Sequence, residues 1–388
     1  STINEFIRDY LILSRLNILY VFAGLIITAF VALAAFNKIK RRKTLYYLII
    51  TLYSISFSLL IMTDNWRLFI VGWEMVTLTT TLLLTWNDKE LVWKYFIIQF
   101  LGGSFLLYTI IVAINHGYEQ IGPIAETWLQ NMFIIGLGVK SAILGLHFWV
   151  PLIYKNASPL FGAISSGWVV KLGFITYLKL IDDGNNLLLY LGLAMVFYGG
   201  IRALKANNYK LLLGFSTISQ LGYIAIGIGS GTKYGYIGAV FHIIAHAIAK
   251  TTLFVGSDHF IREYLSSSIK KFHSALKRQK LNSIVTTICF ISLMGFPLLA
   301  GYNSKYLIKH GFEGNVLFSS LFHLTSIVTY LYGIRFLWVL IFKDKQINWK
   351  KIFCVQNCKL IFTGQGEQGN YLLKISDKIS LIISVIFL

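Results

Sequence analysis

The residues of this sequence with chemistry to offer are charged side chains stranded in apolar runs. Lys140, Lys171, Lys250, Lys305 and Arg335 all sit within such runs, and Glu74, in Val71-Gly-Trp-Glu-Met-Val76, is the one carboxylate so placed. At bilayer depth each charge costs at least about 2.5–3.5 kcal/mol, so such residues face a protein interior or a file of water and mark ion pathways. Burial disfavours an ammonium and a nearby carboxylate opposes that shift, which makes groups able to take up and release protons near neutral pH. The plain alternative is that each long side chain snorkels to an interface. That alternative suits Arg335 best, near the end of its run, and suits Lys140 and Lys250 least, with two turns or more of apolar residues on both sides; Lys171 and Lys305 fall between. Glu74 also reads as a structural ion-pair partner, a role compatible with a relay.

Histidines extend the set. His242, His246 and Lys250 are spaced at i, i+4 and i+8, which brings them to one helix face with slight drift. A histidine pair at i, i+4 also suits zinc, but the residues between are Ile243, Ile244 and Ala245 rather than the Glu-x-x pattern of a metalloprotease, and no third ligand is evident. Proton relay is the fuller reading, since imidazole titrates near pH 7. His147, in Leu-His-Phe-Trp-Val-Pro151, is placed to bridge Lys140 to the following segment.

Elements that position these residues must cross a membrane. The 388 residues are 56% hydrophobic and only 13% charged, with a mean hydropathy of +0.66, against about 25% charged residues in soluble domains. Runs long enough to span a bilayer recur along nearly the whole chain. They predict an all-α polytopic membrane protein of about twelve transmembrane helices, with cores near 16–36, 44–63, 66–86, 93–114, 129–153, 160–180, 187–201, 211–229, 235–256, 281–308, 317–342 and 379–388. Two are predicted to be discontinuous, 129–153 at Gly145 and Pro151 and 281–308 at Gly295, Pro297 and Gly301. Transporters build ion sites at such breaks; Lys140 precedes one and Lys305 follows the other. That symmetry suggests two related halves, around 44–180 and 187–342.

Charge supports the layout. Alternate loops hold 22 Lys and Arg, including Lys38–Lys43 and the stretch 257–280, while the opposite loops hold six: Arg8, Arg15, Arg67, Lys179, Lys233 and Lys309. Such asymmetry sets orientation and accounts for the net charge of +19 without nucleic acid as a partner. Three cysteines, Cys289, Cys354 and Cys358, make neither a disulfide framework nor a metal site. Residues 1–342 read as one transmembrane domain, 343–378 as a polar loop or surface segment, and 379–388 as the start of a final membrane segment. A chain opening at Ser1 suggests a trimmed or incomplete start, and abundant Ile, Lys, Asn, Phe and Tyr suggest an AT-rich genome.

Several motifs are similar to those of the antiporter-like, proton-translocating membrane subunits of respiratory complex I (NADH:quinone oxidoreductase), and of the related large subunits of Mrp-type Na⁺/H⁺ antiporters and membrane-bound hydrogenases. They are Lys140-Ser-Ala-Ile-Leu-Gly-Leu-His-Phe-Trp-Val-Pro151 with Ala157-Ser-Pro-Leu-Phe-Gly-Ala-Ile-Ser165, then Leu212-Leu-Gly-Phe-Ser-Thr-Ile-Ser-Gln-Leu-Gly-Tyr223, Phe241-His-Ile-Ile-Ala-His-Ala-Ile-Ala-Lys-Thr-Thr-Leu-Phe254 and Gly295-Phe-Pro-Leu-Leu-Ala-Gly-Tyr-Asn-Ser-Lys305. The resemblance covers roughly residues 44–342 and is nearest the chain 5 type. It implies an antiporter-like bundle in which Glu74 and Lys140 form the charge pair of a first half-channel. Lys171 would link to the centre, His246 and Lys250 would be the central relay, and Lys305 would open to the far side. It further implies no cofactor in this chain, other membrane subunits as partners, and a mitochondrial inner or bacterial plasma membrane.

The chain departs from the family pattern in three places. The Glu-bearing helix is third instead of fifth, Tyr306 follows Lys305 where chain 5 often has an acid, and no long lateral helix follows residue 342. A truncated or divergent member, completed by another chain, would account for these. Three functions stay open at this point: a proton-pumping subunit of complex I, a cation/proton antiporter of Mrp type moving sodium as well, and a structural membrane subunit that has lost transport. Five buried charges speak against the last.

Overall fold

The computed structural model describes residues 14–342 apart from Asp88 and Ser274. Fourteen helices carry the fold: α1 (Arg15–Ala35), α2 (Lys43–Met62), α3 (Trp66–Leu83), α4 (Lys89–Asn115), α5 (Thr127–Gly138), α6 (Trp149–Asn156), α7 (Pro159–Gly167), α8 (Leu172–Leu180), α9 (Asn186–Lys205), α10 (Tyr209–Gly229), α11 (Lys233–Tyr264), α12 (Lys280–Met294), α13 (Ala300–His310) and α14 (Val316–Phe342). Among the described residues no strand forms, and nine helical stretches are long and apolar enough to cross a membrane, α7 and α8 counting as one. The chain is a multi-pass membrane protein.

Eleven of the twelve expected segments fall on described residues, and each meets one helix or a broken pair. The twelfth, 379–388, lies outside them, as do the polar stretch 343–378, Cys354, Cys358 and Arg8. Both expected breaks occur. Between α5 and α6 the backbone turns at Ala142 and Gly145, and between α12 and α13 at Gly295 and Leu298, all four with positive φ. The count of two discontinuous segments needs correction. The run 160–180 is broken as well, at Trp168 (φ −132°), where α7 ends and Val169–Lys171 tightens into a 3₁₀ turn. Trp168 is neither proline nor glycine, and Gly167 just before it ends α7 with no positive φ to mark a turn.

Helix starts follow side-chain chemistry. Asn65, Asn185 and Asn208 accept the N–H of Arg67, Leu188 and Leu211, and Ser14, Ser158 and Thr232 do the same for Asn17, Phe161 and Gly235. Packing inside the bundle relies on small residues, as membrane helices require when apolar side chains gain nothing by leaving lipid. A Cβ on Gly222 would stand 2.5 Å from Gly192 O, and one on Gly199 2.5 Å from Ser219 N, so α9 and α10 touch backbone to backbone. Around this centre α7, α8 and α10 are almost wholly buried, whereas α1, α4 and α14 turn Phe22, Trp93, Leu101, Leu331 and Trp338 outward.

One end of α11 runs further than expected, to Tyr264 instead of the region of residue 256. It thereby buries Asp258, which takes Lys38 Nζ at 3.0 Å and Arg262 Nε at 3.0 Å. Glu74 is therefore not the one acid inside the helices. The basic loop after α1 is tied to α11 through this shared carboxylate.

Candidate functional site

Lys140 lies just past the end of α5, 1% exposed. Its ammonium donates to Thr77 Oγ1 at 2.7 Å and Trp73 O at 3.1 Å on α3, and stands 4.4 Å from the Trp73 ring centre. Glu74 follows Trp73 in the chain, yet its carboxyl turns to α4, into the space left by Gly103, where a Cβ would overlap Oε1. The expected Glu74–Lys140 pair is thus corrected in its geometry. The charges are within Coulombic range of each other, but among the described residues no ion pair joins them, because α3 offers Lys140 neutral oxygens.

Lys250, wholly buried on α11, repeats this device later in the chain. Its ammonium donates to Leu213 O at 3.1 Å and Ser216 Oγ at 2.5 Å on α10. In both cases the lysine docks on a helix carbonyl and on a hydroxyl about one turn further along. Lys171 sits at the third break and donates to Ser166 O. Lys305, 5% exposed, folds back across the second break to Leu293 O at 2.7 Å and lies 4.2 Å over the Tyr223 ring. The last two lysines therefore meet carbonyls that lose their intrahelical donors where a helix ends.

Between Lys250 and Lys305 stand the two histidines. The His242 and His246 rings are nearly parallel (6°) with centres 6.0 Å apart. His242 Nδ1 meets Ser304 Oγ at 2.9 Å, one residue before Lys305, while neither ring nitrogen of His246 has a hydrogen-bond partner among the described residues. Among the described residues no third His, Cys, Asp or Glu joins them. His147 falls elsewhere. Its Nδ1 accepts Gly145 N–H at 3.2 Å within its own turn, and its ring packs edge-on against Tyr198 at 4.7 Å. No hydrogen bond links it to Lys140 among the described residues, so the expected bridge is not formed. Gly145, with φ +93°, turns that loop toward α9.

Two linking groups escaped sequence reasoning. Ser166 Oγ and Thr217 Oγ1 are 2.8 Å apart, joining the residue that holds Lys171 to the turn of α10 that holds Lys250. Tyr154 OH meets Ser165 Oγ at 3.0 Å beside them. A buried serine or threonine bonded only to its own helix looks the same in a sequence, so no local signal separates the two. Arg335, by contrast, reaches Ala206 O and Asn207 Oδ1 at the loop between α9 and α10, in keeping with an interfacial role.

Residues 63–329 match the family model described as NADH:quinone oxidoreductase/Mrp antiporter, transmembrane. The chain belongs to this family. NADH-ubiquinone oxidoreductase chain 5 of Candida parapsilosis is 24% identical over 332 residues, 78% of this chain and 59% of that one. A Staphylococcus aureus protein provisionally named antiporter subunit mnhA2 is 26% identical over 382 residues, 88% of this chain and 47% of that one. The chain thus spans about half the length of the curated relatives it matches. A chain of respiratory complex I from Thermus thermophilus superposes with a TM-score of 0.78 at 19% identity, over 96% of this chain and 82% of that one; it shares the fold. Lys140, Lys171, Lys250 and Lys305 all lie within the residues that the family model matches, and each is at most 5% exposed.

Proposed function

We propose that this chain translocates protons as a non-redox membrane subunit of a respiratory assembly of the complex I type. One observation carries the reading. Lys140, Lys171, Lys250 and Lys305 are each at most 5% exposed, each is held by carbonyl or hydroxyl oxygens, and among the described residues none has a carboxylate within ion-pair distance. A buried charge without a counter-ion is costly, and a structural pair would have been built with its partner. An amine that alternates between charged and neutral forms explains the arrangement. His242, His246, Ser166 and Thr217 lie between these lysines as groups able to pass a proton. Glu74, close enough to Lys140 to act on its charge, serves as a bias on the first site.

The partners would be other membrane subunits, the driving force would come from chemistry in them, and the membrane would be the mitochondrial inner or bacterial plasma membrane. Cation/proton antiport of the Mrp type is the second reading, favoured by the Staphylococcus aureus relative that aligns with 88% of this chain. Gentle detergent purification with identification of the co-purifying chains separates the two. NADH-oxidising and Fe–S subunits support the first reading, and small membrane subunits alone support the second. A chain that migrates by itself and drives no proton flux in vesicles overturns both.

Gly103→Ala tests the role of Glu74 without touching its charge. The added methyl overlaps the end of a flexible side chain, and the better helix propensity of alanine, about 1 kcal/mol over glycine, offsets the cost of moving that carboxyl, so the bundle is expected to assemble normally. Proton flux is expected to fall several-fold. Combined with Glu74→Gln, the alanine should have no further effect, which a double-mutant cycle on flux will show.

A further inference from the structure

A pocket of about 350 Å³ opens at the basic face, between the loop that joins α1 to α2 and the start of α7. Lys38, Lys40 and Arg41 line it from the loop, Trp86 from just beyond α3, and Ser158 and Phe161 from the start of α7. Among the described residues no carboxylate lines it. Lys40 and Arg41 are exposed and make no ion pair with another described residue. Lys38 stands 3.0 Å from Asp258, which also holds Arg262 at 3.0 Å, so one carboxylate answers two cations. The walls therefore carry a surplus of positive charge.

The pocket is preformed. Trp86 Nε1 donates to Arg41 O at 3.0 Å, and its ring packs edge-on against Tyr46 at 5.3 Å. Arg42, with φ +51°, turns the chain into α2, and Lys43 Nζ lies 3.5 Å from the Phe36 ring centre across the loop. On the opposite wall Ser158 N–H donates to Asn87 Oδ1 at 2.7 Å. Ser158 Oγ accepts the Phe161 N–H at 3.3 Å and keeps its own proton to donate. The nine-residue helix α7 adds the positive end of its dipole and N–H groups that lack intrahelical acceptors. Cations, a hydroxyl donor and a helix start converging on one space suit a phosphate group.

Depth indicates which phosphate. Leu45 and Leu82, each next in sequence to a lining residue, are exposed, and so are Leu48 and Leu78 one turn deeper on α2 and α3. On membrane-spanning helices these leucines mark the start of the hydrocarbon, which brings the pocket to headgroup level. Trp86 at its rim is of the type that favours that level.

We propose that this pocket binds the phosphate of an anionic membrane lipid, held by Lys40, Arg41 and Ser158. Basic pockets on this side of a membrane attract anionic headgroups, whereas the amine of a zwitterionic lipid would meet two cations and no carboxylate. The bound lipid would tie the α1–α2 loop, and through Lys38 and Asp258 the basic end of α11, to the bilayer surface. The inference stands apart from proton transport, and its test reads binding alone.

The test uses the full assembly in phosphatidylcholine vesicles containing a trace of phosphatidylglycerol with a photoreactive group beside its phosphate. Labelling is mapped to peptides covering residues 38–46 and 158–164. It is expected to exceed labelling by the matching phosphatidylcholine probe several-fold, and to fall about tenfold in Lys40→Gln/Arg41→Gln, where two headgroup cations are lost. Both positions are exposed, so the bundle should assemble as before. Lys205→Gln/Lys271→Gln removes the same charge from exposed positions elsewhere on the basic face and should leave labelling unchanged. Equal labelling by the two probes overturns the proposal. So does an equal fall in both double variants, which would mean diffuse attraction to the whole face. Labelling abolished by inorganic phosphate at cellular concentration would assign the pocket to the free anion and overturn the lipid.

Discussion

Replacing Lys250 with leucine is expected to stop proton translocation while the bundle assembles normally. The ammonium of Lys250 is wholly buried and is held by Leu213 O and Ser216 Oγ alone. Removing a charge that has no buried counter-ion leaves no partner stranded. Ser216 Oγ still reaches Leu213 O at 3.2 Å, and Thr217 Oγ1 reaches it at 2.7 Å. Stability should therefore be unchanged or higher, by about 1–4 kcal/mol at most. Flux should fall by about 100-fold or more, the scale on which a positioned proton-transfer group acts. Lys250→Arg is the informative companion. Its guanidinium keeps the charge and does not release its proton in proteins, so it too should lose flux if Lys250 is a relay. Arginine that supports flux would make Lys250 a fixed charge. Acidification of inside-out membrane vesicles, normalised to the amount of assembled protein, reads both variants.

Lys140→Met should have an effect of similar size at the other end of the row. Methionine keeps most of the stem that passes Trp73 and removes the ammonium. Thr77 Oγ1 retains an acceptor in Trp73 O at 3.2 Å, so the cost in stability should be small. Loss of flux by about 100-fold is expected, again on the scale of a lost proton-transfer group. Glu74→Gln should do less. Its carboxyl lies in the Gly103 space without contacting the ammonium, so it acts on Lys140 through distance, and a few-fold change is expected. Equal losses from the two substitutions would mean that the carboxylate moves onto Lys140 during turnover.

The lysines were legible because the cost of a buried charge is nearly local. An ammonium flanked by two turns of apolar residues on a span has few exits, whatever lies beside it. For the same reason the His242–His246–Lys250 face follows from helical spacing alone. Gly145 and Gly295 announce their breaks because positive φ is a property of the residue itself.

What each lysine touches is of another kind. Lys140 meets Thr77, 63 positions away in sequence, and Lys250 meets Ser216, 34 positions away. These meetings depend on helix crossings set by contacts such as Gly222 on Gly192 and Gly103 on Glu74. His147 turned out against Tyr198 and Asp258 turned out inside, each through packing between distant elements. The break at Trp168 has only Gly167 beside it to mark it, one small residue among many in this chain, and the Lys171 ammonium takes the freed carbonyl of Ser166. The sequence alone thus determined that the chain crosses a membrane many times, where two breaks fall, and which charges lie within it, because burial cost and backbone preference belong to single residues and short windows. The tertiary structure decided that the lysines rest on neutral oxygens and that Glu74 stands apart from Lys140, because those depend on helix register across tens of residues.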